Sequence, residues 1–185
     1  MKYLIAAPIA LAFIVATTTA ASSTPDACGV VTTSDVNAAF APRVFVIDNS
    51  GPVAAKQSSK FARVSNCTFV SKGATVKDML VVSVLLRVAS SDANGVTVKV
   101  MKEGVVKLGG APVDVPGLGD GAYWYTLGGR SLVVFKGKRI FFTVSEYAPK
   151  RSDADAITDL KKIAGGSVGK AVIDLYTKHR GLGGW

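Results

Sequence analysis

Three strand-forming runs, residues 122–127, 131–135 and 139–145, follow one another with only Gly128-Gly129 and Lys136-Gly137-Lys138 between them. Turns that short join antiparallel neighbours, since parallel neighbours need a crossover of a dozen residues or more. The second half of the chain is therefore expected to fold as an antiparallel meander.

The segments around the meander supply both the rest of the sheet and its cover. Residues 61–71 are rich in strand formers and end at the turn Lys72-Gly73. In residues 79–89, Leu80, Val82, Val84, Leu86 and Val88 share one face, and Met79, Val81, Ser83 and Leu85 the other. Apolar side chains on both faces predict a central strand covered on two sides. Thr32-Thr33-Ser34 offers N-cap hydroxyls to a short helix over residues 35–40, which Pro42 stops. Residues 43–47 read as a strand, 48–52 as a turn and 54–59 as an exposed loop. Ser91-Asp92 opens a helix over 93–108, where Val98, Met101, Val105 and Leu108 recur at helical spacing. Its β-branched residues, with Gly95 and Gly104, leave an extended reading through Val96, Val98 and Val100 as the competitor. Ser152-Asp153 caps a last helix through Ile157, Leu160, Ile163 and Ala164, broken at Gly165-Gly166 and resumed through Val168, Val172, Leu175 and Tyr176. The predicted class is α+β: an antiparallel sheet with helices packed on it, in one domain.

The N-terminus speaks to compartment. Lys2 precedes an apolar run over residues 3–16 and then the small, polar stretch Thr17-Thr18-Thr19-Ala20-Ala21. This is the layout of a secretory signal peptide, with cleavage near Ala20 or Ala21. The run is shorter than the roughly 20 apolar residues a membrane-spanning helix needs. The expected organisation is a signal peptide over 1–21, a polar leader over 22–27, a single domain over 28–180 and a glycine-rich tail over 181–185, in a secreted or periplasmic protein with no transmembrane segment once mature. Pro25-Asp26-Ala27 before Cys28 lacks the Leu and small residues of a lipoprotein cleavage site.

In an oxidising compartment the two cysteines, Cys28 and Cys67, read as one disulfide. The rivals fare worse: two thiols make no zinc site unaided, and a catalytic thiol paired with the single histidine, His179, leaves the other cysteine unexplained. The formal net charge is +9, or +8 once Lys2 leaves with the leader. That balance favours anionic surroundings such as lipid headgroups or wall polymers. Its scatter from Arg43 to Arg180 argues against a dedicated nucleic-acid interface.

No motif carries a catalytic mechanism. Gly117, Gly119 and Ala122 satisfy the dinucleotide-binding spacing, but Pro116 precedes them and strand formers follow, so no helix N-terminus meets a phosphate. Gly165-Gly166-Ser167-Val168-Gly169-Lys170-Ala171 falls one residue short of a phosphate-binding loop and puts Ala171 where a hydroxyl is needed. Metal-ligand spacing is absent, and no cofactor, metal or catalytic residue is expected. Two surfaces stand out as binding candidates. One is Asp120 with Tyr123, Trp124 and Tyr125, where aromatics leave a glycine turn and could line a ligand groove. The other is the basic hairpin Lys136, Lys138 and Arg139 beside Phe135, Phe141 and Phe142, suited to anionic lipid or polymer. Each has a plainer reading, as a structural turn and as a solvated hairpin tip.

The layout Cys28-Gly29-Val30-Val31-Thr32-Thr33-Ser34-Asp35-Val36-Asn37-Ala38-Ala39-Phe40, then Asn66-Cys67-Thr68-Phe69, then Val115-Pro116-Gly117-Leu118-Gly119-Asp120-Gly121-Ala122-Tyr123-Trp124 carries a resemblance. It resembles small exported bacterial envelope proteins of uncharacterised function, many of them lipoproteins, whose fold is similar to the PsbP-like α/β sandwich of photosystem II. The resemblance covers most of residues 28–180 and implies a non-enzymatic binding or accessory role with an envelope ligand or protein, and no catalytic residue. The alternatives are a small secreted hydrolase using Asp120 with Asp114 or Glu146, and a generic binder of anionic polymers.

Overall fold

The meander is present and is the middle of a larger sheet. In the computed structural model, which describes residues 27–48, 61–75, 78–148 and 151–166, seven strands pair in one sheet. They are β1 (Phe45–Ile47), β2 (Phe61–Ser71), β3 (Val81–Ala89), β4 (Val113–Asp114), β5 (Gly121–Thr126), β6 (Arg130–Lys136) and β7 (Ile140–Tyr147). Their order across the sheet is β1-β2-β3-β7-β6-β5-β4, and every pairing is antiparallel. Four helices complete the α+β domain: α1 (Ala27–Val30), α2 (Thr33–Ala39), α3 (Val98–Lys107) and α4 (Asp153–Gly165). The signal peptide, the loop over 54–59, the resumed terminal helix, His179 and the glycine-rich tail lie outside the described residues.

Local chemistry explains the helix starts. Thr32 caps α2 through a reciprocal box, its Oγ1 accepting from the Asp35 amide at 3.3 Å while Asp35 Oδ2 accepts from the Thr32 amide at 2.8 Å. Ser152 Oγ caps α4 by accepting from the Asp155 amide at 3.1 Å. α1 escapes any periodicity reading because it is one turn of four residues. The Ala27 amide donates to Ser65 Oγ at 2.8 Å, and its side chain is fully buried.

The two faces of the sheet are covered unequally. Helices α1, α2 and α4 lie over one face and enclose the main core of Val36, Phe40, Phe45, Phe69, Leu80, Val82, Val84, Leu86, Leu132, Phe142, Val144, Leu160 and Ile163. The Cys28–Cys67 disulfide joins α1 to β2 across this layer, with the Cα atoms 5.1 Å apart. On the other face α3 packs against β5, and Val105 meets Tyr123, Val133, Phe135 and Phe141 in a second, smaller core. The expected two-sided burial of residues 79–89 is therefore corrected. The Val82 face of β3 is fully buried, but Val81, Ser83, Leu85 and Arg87 are only half-buried, because α3 covers the β5 side of the sheet instead.

The helix expected over 93–108 also divides. Ser91 caps a single 3-10 turn, Asp92–Asn94, after which Gly95 is extended at φ −65° and ψ 153°. A side chain at Gly95 would collide with the Lys138 carbonyl, so the chain passes close under the β6–β7 hairpin there. Thr97 then provides a second cap, accepting from the Val100 amide at 3.3 Å, and α3 starts at Val98. Val98, Met101 and Val105 face inward as their spacing predicts. Leu108 does not: it terminates the helix and is 70% exposed.

Candidate functional site

The structure brings Asp120 and the basic hairpin together. Gly117 and Gly119 turn the chain at φ +81° and +56°, a region favouring glycine, and deliver Asp120 to the tip of the β6–β7 hairpin. Asp120 Oδ1 accepts from Lys136 Nζ at 2.8 Å and Oδ2 from the Gly137 amide at 2.7 Å, while the Asp120 amide donates to the Phe135 carbonyl at 2.9 Å. Hydrogen bonds from Lys136 and then Gly137 hold the Asp120 carboxyl below its ordinary value. The Arg139 guanidinium donates from Nη2 to the carbonyls of Ala89 at 3.0 Å and Ser90 at 2.9 Å. Of the three hairpin cations, Lys136 and Arg139 thus tie chain segments together, and Lys138 stands exposed.

The aromatic trio splits between the two cores. Tyr123 is fully buried in the second core, with ring centroids 6.0 Å from Tyr125 and 6.3 Å from Phe135. Burial pushes its phenol up to about 12, and its hydroxyl has no hydrogen-bond partner among the described residues. Trp124 points to the opposite face and packs, partly buried, on the main core, while Tyr125 is partly buried at the margin of the second. The three side chains share no common surface.

The acids considered for catalysis are each held by a cation. Asp114 pairs with Lys102 at 2.8 Å, and Glu146 Oε2 accepts from Arg151 Nη1 at 3.1 Å. Glu146 is buried beneath a network in which Arg151 also binds Asp159 at 2.6 Å and Arg130 binds Asp153 at 2.6 Å. Asp120 sits beside Lys136, whereas Glu146 pairs in register with Arg130 at the other end of β6. Six residues of strand separate those ends by about 20 Å, beyond the roughly 5–10 Å over which two carboxyls act on one glycosidic bond. No group of three or more His, Cys, Asp or Glu side chains able to hold a metal occurs among the described residues.

A surface not singled out by the sequence reading lies over α3. A groove of about 790 Å³ runs along the helix, lined by Val98, Lys99, Lys102, Val106, Lys107 and Pro112, with Glu103 among them. Val100, Val106 and Leu108 are 57%, 58% and 70% exposed, and Val113 on β4 is 50% exposed. Four of the eight exposed large apolar side chains among the described residues thus fall within residues 98–113. Lys99 and Lys107 are exposed and make no ion pair among the described residues, while Lys102 is committed to Asp114. The signal was in the sequence: Val98, Val100, Val105 and Val106 give this helix more β-branched apolar residues than its inward face uses.

The fold and its surfaces define an α+β domain with an open seven-stranded antiparallel sheet, one disulfide and no helix among the described residues long and apolar enough to cross a membrane. No family model, curated protein or solved structure matches the chain.

Proposed function

We propose that this chain is an exported accessory domain that works at the cell envelope by binding, without covalent chemistry, through the groove along α3. The groove along α3, where Val98, exposed Val106 and Pro112 lie among Lys99, Lys102, Glu103 and Lys107, carries the reading. Exposed apolar surface costs free energy in water, and a cluster of it rimmed by polar groups is the ordinary signature of an interaction site. The leader-like N-terminus and the Cys28–Cys67 disulfide support export to an oxidising compartment. The commitment of Asp114, Asp120 and Glu146 to structural cations supports a role other than acid–base catalysis.

The test is incubation of the purified protein with cell-envelope fractions at low and high salt, followed by mass spectrometry of what co-purifies. Retention that survives high salt is expected, because apolar contact is not screened as charge is. Retention abolished by salt would instead mean that the net charge acts generically.

A further inference from the structure

We infer that the part of the sheet left open on the α3 side binds an uncharged, extended, β-linked glycan chain. This face is separate from the groove along α3. Thr68 on β2 pairs in register with Ser83 on β3, Ser83 with Ser145 on β7, Ser145 with Ser131 on β6, and Ser131 with Tyr125 on β5. Directly paired residues point to one face of a sheet, so four hydroxyl side chains and a tyrosine stand in a single row across five strands. With neighbouring strands about 4.8 Å apart, the row runs about 19 Å. Asn66 and Thr143, two residues along β2 and β7, share the face, with Leu85 in register between them. Helix α3 packs on β5 instead, and Asn66, Thr68, Ser83, Thr143 and Ser145 remain partly exposed.

Tyr147 adds an aromatic ring beside the row, two residues beyond Ser145 on the same face of β7. Its ring lies against the bare backbone of Gly129, where a Cβ would come within 2.6 Å of Cε1, and the residue is still 49% exposed. A braced, exposed ring of this kind offers its surface to the CH face of a sugar. The hydroxyls retain bonding capacity. Ser131 Oγ and Ser145 Oγ lie 2.8 Å apart, so one proton joins them and the other is left over. Ser83 Oγ donates to Asn66 Oδ1 at 3.0 Å, while the hydroxyls of Thr143 and Tyr147 make no hydrogen bond among the described residues. Charge selects the occupant: none of these side chains is ionisable near neutral pH, on a chain of net charge +9. The one cation further along the face of β3, Arg87, lies over the Phe141 ring at 5.4 Å. An anionic polymer gains nothing from such a row, and an apolar protein face would dehydrate the hydroxyls without replacing their hydrogen bonds. A glycan meets both needs, and an extended β-linked chain follows a straight row where a helical α-linked chain does not.

The experiment is retention of the purified protein on insoluble chitin and on cellulose, with amylose resin as the α-linked comparison, at low and high salt. The wild type is expected to be retained on chitin or cellulose at both salt concentrations and to pass through amylose. Tyr147→Ala is expected to weaken retention about tenfold, the size of one lost aromatic contact, whereas Tyr147→Phe keeps the ring and stays within about twofold. Thr143→Val removes a hydroxyl at nearly constant shape and is expected to cost about threefold. Both positions are at least partly exposed, and far-UV circular dichroism with thermal melting verifies that each variant folds. Passage through both chitin and cellulose, retention lost at high salt, equal retention on amylose, or retention untouched in folded Tyr147→Ala would each overturn the inference. None of these outcomes depends on the groove along α3, so the envelope-binding reading stands or falls on its own test.

Discussion

At the scale of single residues, two buried polar groups distinguish structural from binding positions. Tyr123 was legible as an aromatic on a strand, and its alternation with Trp124 was legible too. Sequence alone could not say which face was outward, because side chains from both faces of β5 pack into a core. The Tyr123 hydroxyl, without a hydrogen-bond partner among the described residues, carries a desolvation cost that Phe would not. Tyr123→Phe is therefore expected to raise stability by about 1 kcal/mol in urea denaturation; a loss of similar size would mean that the hydroxyl is engaged. Glu146 gives a pH signature. Burial raises its carboxyl above the ordinary value, against the opposing pull of Arg151 and Arg130. A carboxyl whose folded-state value is raised binds its proton more tightly in the fold, so its contribution is full below the ordinary carboxylate value and lost as pH rises through the raised one. Asp120 has the opposite sign: its lowered value contributes above the ordinary range and is lost on acidification. Glu146→Gln should flatten the fall in stability just above the ordinary carboxylate range and leave the acid-side loss in place. An unchanged pH profile would contradict the assignment to Glu146.

Among the elements, those closed by local chemistry were legible and those defined by distant partners were not. Gly128-Gly129 and Lys136-Gly137-Lys138 announced the β5–β6–β7 meander, and Thr32 and Ser152 announced α2 and α4. β4 is two residues long and exists through its pairing with Tyr123 and Trp124, so no periodicity could reveal it. The same holds for Asp120, whose partners Lys136 and Gly137 lie 16 and 17 residues away. Gly95 marked a weakness in the expected helix, but the reason, the Lys138 carbonyl above it, is tertiary. The Cys28–Cys67 bridge fixes the single-turn helix α1, too short to be stable alone, onto β2. With its ends 39 positions apart in sequence, its removal in the Cys28→Ala, Cys67→Ala double variant should cost about 3–4 kcal/mol. Chemical denaturation would measure this, and a change below about 1 kcal/mol would show that the bridge is dispensable to the fold.

Across the whole molecule, the two faces of the sheet are covered unequally. Its Phe142 face is covered by three helices and a disulfide, while the opposite face carries α3, on and just after which Val100, Val106 and Leu108 stand exposed. The fold class followed from the sequence because a meander between amphipathic helices has few ways to bury itself. The exposure along α3 did not, because Val100, Val106 and Leu108 resemble core residues until the inward face of α3 is known. The most direct test of the proposed binding role is hydrogen exchange on the protein alone and bound to envelope fractions. Binding along the α3 groove predicts new protection concentrated in residues 98–107. Protection confined instead to residues 123–125 or 136–139 would return the site to the aromatic strand or the basic hairpin and contradict the assignment.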